Sequence, residues 1–157
     1  MIRALIILLL STILNANAGN YDIRFKGIKL GEIETLDTLK DNYLKAEVTS
    51  RIARFFIRHD NFVFHGGDKP PVYDAKYRKD KNLILFAFYQ SLTEKPKHKV
   101  YKINDIKSMT LDCNASECKF VYNKKGKVKG RGSILFDKHG EFIKLKEEIA
   151  SVEISRK

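Results

Sequence analysis

The stretch that most constrains the fold is Tyr21 to Leu36, YDIRFKGIKLGEIETL. Side chains on a β-strand alternate between two faces. Tyr21, Ile23 and Phe25 fall on one face, and Asp22, Arg24 and Lys26 on the other. That is the pattern of a half-buried strand. Gly27 and Gly31 interrupt it, and the apolar positions change parity from Ile28 and Leu30 to Ile33 and Thr35. Glycine within a strand pattern marks a turn, bulge or bend. The stretch therefore predicts a first strand that bends or reverses into a second, setting the register of an antiparallel sheet.

The residues before this stretch have the organisation of an export leader. Arg3 supplies a positive start, and Ala4 to Leu14 is an apolar run too short to span a bilayer. Ala16-Asn17-Ala18 is an A-x-A cleavage pattern. The expectation is a signal peptide at 1–18, cleaved after Ala18, and a single β-barrel domain at 19–157. An uncleaved membrane anchor is the alternative. No cysteine follows the run, so a lipid anchor is not expected, and no later stretch is apolar enough to span a membrane. The style of the leader points to a bacterium, with the mature chain periplasmic or secreted. Only two cysteines occur, Cys113 and Cys118. In an oxidising compartment so close a pair reads as a disulfide.

Further along, Asn42 to Thr49 alternates and reads as a third strand. Ser50 is placed to cap a short helix over Arg51 to Arg58. On that helix Ile52, Phe55 and Phe56 share one face, and Arg51, Arg54 and Arg58 the opposite one. Asn61 to His65 is a fourth strand, stopped by Gly66-Gly67, and Val72 to Arg78 a fifth. Leu83 to Leu92 (LILFAFYQSL) is apolar on both faces at first and reads as a strand covered on both sides. Val100 to Ile106 is ambiguous. Met109 to Asp112 and Lys119 to Tyr122 flank the cysteines as a hairpin, and Asn123 to Gly132 reads as a basic turn region. Ser133 to Phe136, Phe142 to Leu145 and Ile149 to Ile154 complete the strands. Turn signals recur about every ten residues, which points to an all-β barrel or sandwich.

The opening Y-x-I-x-F-x-G-I-x-L-G-x-I, the later Gly-Gly…Pro-Pro-x-Tyr turn and the closing strands resemble an uncharacterised family of exported bacterial proteins. The nearest group is the lipocalin-like exported proteins of epsilonproteobacteria. This resemblance implies an antiparallel up-and-down β-barrel with one short helix and an interior cavity. The chain has no tryptophan, and so lacks the Gly-x-Trp feature of lipocalins proper.

The chemistry-bearing residues are sparse. His59, His65, His98 and His139 show no metal-ligand spacing. No nucleophile elbow, phosphate-binding loop or dinucleotide fingerprint is present. The reading is a non-enzymatic protein with no catalytic residues, no metal and no cofactor. The mid-chain aromatics Phe55, Phe56, Phe62, Phe64, Phe86 and Phe88 suit the lining of a pocket for a small apolar or amphipathic ligand, lipid or fatty-acid-like. Arg51, Arg54 or Arg58 would take its anionic end. The same phenylalanines could instead fill a core. A net charge of +11 invites anionic partners. The second expectation is therefore an interaction protein whose basic face, including Lys124 to Arg131, contacts anionic envelope polymers or a partner protein. Nucleic acid is not expected, because Tyr122 alone stands near that tract to stack on bases. Asn114-Ala115-Ser116 is an N-x-S sequon with Asp112 two places before it.

Overall fold

The computed structural model describes residues 21–57, 61–65 and 83–157, with the backbone alone at 55–57 and 61–65. Ten strands form one sheet. They are β1 (Tyr21–Phe25), β2 (Ile28–Ile33), β3 (Tyr43–Val48), β4 (Asn61–His65), β5 (Lys99–Asn104), β6 (Lys107–Cys113), β7 (Glu117–Lys124), β8 (Lys127–Phe136), β9 (Phe142–Glu147) and β10 (Val152–Arg156). Two α-helices, α1 (Arg51–Ile57) and α2 (Leu83–Thr93), and a short 3-10 helix at Asp37–Asp41 complete the described elements. The leader expected at 1–18, Arg58 and the strand expected at Val72–Arg78 lie outside the described residues.

Every pairing is antiparallel, in the order β4-β3-β2-β1-β10-β9-β8-β7-β6-β5. The chain enters mid-sheet at β1, winds outward to the β4 edge, crosses through α2 to the β5 edge, and returns to lay β10 beside β1. The hairpins that do this are encoded locally. Lys26-Gly27 and Lys125-Gly126 both have positive φ at each residue. That is the two-residue turn whose twist matches the flanking strands.

Alternation puts one continuous row on the core side across neighbouring strands. Val48 pairs with Gly31, Gly31 with Ile23, Ile23 with Ile154, and Ile154 with Leu145. Leu145 then pairs with Ile134, Ile134 with Cys118, and Cys118 with Cys113. Leu145, Ile134 and Cys118 are completely buried. Cys113 and Cys118 are disulfide-bonded at the end of this row. Asn114 closes the turn between them, its Oδ1 accepting the N–H groups of Ser116 and Glu117 at 2.9 and 2.8 Å.

α2 corrects the strand expected at Leu83–Leu92. Six consecutive residues, Phe86 to Ser91, are buried. More than one full helical turn is thus enclosed, so no side of α2 faces water. Phe88 packs on Phe142 with ring centroids 4.5 Å apart, and Phe86 meets Tyr101 edge-on at 5.3 Å. A helix sheathed on all sides has no polar face, and so carries no helical periodicity. The architecture is therefore mostly β with two α-helices rather than one.

The same helix shows that the sheet is strongly curved. α2 touches β4 at one edge and β6, next to the other edge. In a flat sheet those two strands would stand about 38 Å apart. The sheet must curl around α2 to bring both within reach. Among the described residues no pairing joins β4 to β5, so the sheet is open at that seam. A second correction concerns Lys127 to Gly132, read as turn. These residues are the first half of β8, and the turn itself is only Lys125-Gly126.

Candidate functional site

Between the first turn of α2 and the inner face of the sheet lies a cavity of about 400 Å³. Its walls are apolar: Ile84 and Leu85 from α2, Ile23, Leu30 and Val48 from β1 to β3, Met109 and Phe120 from β6 and β7, and Val152 and Ile154 from β10. The hollow exists because small residues stand on its walls. Gly31, Ala46, Gly130 and Ala150 all line it. At Gly31 no side chain is possible, since a Cβ would come within 2.1 Å of the Glu47 carbonyl oxygen. At Gly130 a Cβ would meet Glu147 Oε1 at 3.4 Å and Tyr122 at 3.6 Å. A side chain could be seated there, but it would take space from the cavity.

Three charged residues, Glu47, Glu147 and Lys129, border the apolar walls. The Glu47 carboxylate takes the ammonium of Lys45. Glu147 is 2% exposed. Its Oε1 accepts the N–H groups of Arg131 and Ile149 at 3.2 and 3.1 Å, and its Oε2 accepts that of Ala150. That carboxylate is occupied in fastening the β9–β10 turn to β8. Lys129, by contrast, is exposed at the rim and makes no ion pair or hydrogen bond among the described residues. The cavity therefore offers an apolar interior and one available cation at its edge.

The residues expected to bind ligand are placed as follows. Phe86 and Phe88 are packed into the core, 3% and 0% exposed, and are not among the lining residues. Their neighbours Leu83, Ile84 and Leu85 line the cavity instead. Arg51 is exposed, and Arg54 donates from Nε to the Val48 carbonyl at 2.9 Å, behind the cavity wall. Neither arginine is a lining residue. Ile52, read on one face with Phe55 and Phe56, is 74% exposed, and Ala53 is buried. Arg58 and the side chains of Phe55, Phe56, Phe62 and Phe64 lie outside the described residues. The aromatic content of the sequence pointed to these phenylalanines. The signal that marks the cavity is different: glycines and alanines at core-facing positions of alternating strands.

Other polar clusters serve the fold. Tyr101 donates its hydroxyl to Glu94 at 2.8 Å, and Lys99 reaches the same carboxylate, tying the end of α2 to β5. Burial first, and then the Glu94 carboxylate, push the Tyr101 phenol well above its ordinary value. His98 contacts Asp112 on the surface. Among the described residues no group of three or more His, Cys, Asp or Glu side chains is placed to hold a metal ion. No described helix is long and apolar enough to cross a membrane. No family model, no curated protein and no solved structure matches the chain.

Proposed function

We propose that this chain is an exported, non-enzymatic carrier whose β-sheet closes into a barrel around α2 and holds one small apolar or amphipathic ligand. The observation that carries the reading is the apolar cavity of about 400 Å³ beside the start of α2. That volume lies within the range of pockets for small molecules, which are apolar with a few polar groups fixing orientation. The disulfide is compatible with an oxidising compartment. Lys129 would pair with a carboxylate or phosphate head while the apolar part lies against Met109, Phe120 and Ile154. This moves the anion contact from the arginines of α1 to the rim of β8.

The test is extraction of the purified chain in organic solvent followed by mass spectrometry, with melting measured across a panel of fatty acids. A ligand that binds only the folded state raises the melting temperature with its concentration. Ala150→Trp, a plug at the exposed rim, is expected to abolish the shift. Lys129→Glu is expected to weaken fatty acids by about tenfold, with less effect on the matching alcohols. No extracted ligand together with no shift for any panel member would remove the carrier reading.

A further inference from the structure

The strand registers bring several hairpin tips to the same end of the sheet. Phe25 pairs with Val152, so the β1–β2 turn and the β9–β10 turn sit side by side, and the Lys26 N–H donates to the Ser151 carbonyl at 2.8 Å. Glu147 pairs with Gly132, midway along β8, so β8 runs on past the β9–β10 turn to the β7–β8 tip at that same end. The cavity rim, with Lys129, Ala150 and Val152, belongs to this end too.

Two kinds of side chain crowd these tips. Large apolar groups stand in solvent: Ile28 is 65% exposed, Ile149 54%, Val128 50% and Phe25 37%. Beside them Lys26, Lys125, Lys127 and Lys129 are exposed and have no ion-pair partner among the described residues. The acids of this end are already engaged. Glu148 holds Arg131 at 2.9 Å, Asp105 holds Lys102 at 3.3 Å, and Glu147 is buried on backbone N–H groups. The end is therefore positive and apolar at once, and it surrounds the opening of an apolar cavity.

We infer that this end docks on an anionic lipid bilayer, with the apolar tips entering the interface and the lysines meeting the headgroups. A polyanion such as a nucleic acid or an acidic glycan would satisfy the lysines alone and leave Ile28 and Ile149 in water. A neutral apolar surface would gain nothing from the lysines. Only an anionic membrane matches both sets, since apolar burial and headgroup attraction add at such a surface. The orientation would set the cavity rim against the lipid. The docking surface rests on the exposed tips, and the carrier reading gives it a purpose.

The experiment is sedimentation of the full chain with vesicles of phosphatidylcholine alone and of phosphatidylcholine with 30% phosphatidylglycerol (a chosen composition of about one anionic lipid in three). Binding to the anionic vesicles only is expected. Lys125→Gln with Lys127→Gln should lower partitioning by about 30-fold, taking each lysine near an anionic surface at its usual strength. Ile28→Ser with Ile149→Ser should lower it by about tenfold or more while leaving retention on heparin unchanged. Both isoleucines are mostly exposed, so this variant is expected to melt as the parent does. Equal binding to the two vesicle types, or no binding to either, would overturn the proposal. So would undiminished vesicle binding by the isoleucine variant, which would mean adhesion to polyanions in general. Fatty-acid melting shifts read the cavity separately: intact shifts without vesicle binding would sink the docking surface and spare the carrier.

Discussion

At the scale of single residues the sheet depends on positions where a side chain cannot stand. Gly132 faces the Phe120 ring, and a Cβ there would lie 2.1 Å from the Lys146 carbonyl oxygen and 2.7 Å from the ring. Gly132→Ala should therefore lower unfolding free energy by about 2–4 kcal/mol, since a backbone must move to make room. Gly126→Ala, at φ +73° with open space around it, should lower it by only about 1 kcal/mol, the strain of a left-handed residue. Urea titration of the two variants separates the mechanisms. Charge acts at the same scale on the sheet's outer face. Asp22 is nearly buried and takes Lys29 at 2.7 Å and Arg24 at 3.1 Å. The Lys29 ammonium is the main cause holding the Asp22 carboxyl below the ordinary range. Glu32 is lowered chiefly by Lys157 and then by Lys29. Because both folded-state values are depressed, their stabilisation is full above the ordinary carboxylate range near pH 4 and is lost as pH falls through the lowered values. Lys29→Met should lower stability at pH 7 by about 1–2 kcal/mol. The gap to the parent should close as pH falls through the lowered Asp22 and Glu32 values, as chemical denaturation across pH would record.

At the scale of elements the disulfide hairpin is a small, separable contribution. Cys113 and Cys118 are five residues apart, so the bond restrains only a short loop in the unfolded chain. Its reduction should lower stability by about 2 kcal/mol while leaving the β6–β7 pairing intact, because Asn114 still caps the turn. Thermal melts with and without reductant, followed by circular dichroism, test this. The hairpins were readable because their determinants are local. Glycine at the second position of a two-residue turn and alternation on either side suffice to set register. α1 was readable from Ser50, whose hydroxyl accepts the Ala53 N–H at 3.3 Å. Within it Ala53 meets the core while Ile52 stands in solvent. α2 was unreadable from its pattern. Its apolar, aromatic run looks like strand, and enclosure by the sheet removes the polar face that would have revealed a helix. The start of β8 was hidden for the opposite reason. Gly130 and Gly132 disfavour a strand by propensity, yet a curved sheet needs them where its neighbours press closest.

At the scale of the molecule the two halves of the sheet are joined at one seam. β1 to β4 form one arm, β5 to β9 the other, and β10 is the strand that pairs with both β1 and β9. A chain ending before Val152 would leave β1 and β9 as raw edges and remove the fully buried Ile154 from the core. Such a truncation should show no cooperative thermal transition, whereas removal of Lys157 alone should shift melting by only a few degrees, roughly 1 kcal/mol of surface ion pairing. The sequence by itself determined the class, because alternation and turn chemistry act over a few residues: antiparallel strands, a capped short helix and a disulfide between neighbouring cysteines. Only the tertiary structure decided what lies inside the curl. Whether an apolar run becomes an inner helix, and whether small residues on adjacent strands leave a hollow beside it, depend on which segments distant in the chain meet. Side-chain volume is balanced across those contacts and not along the chain.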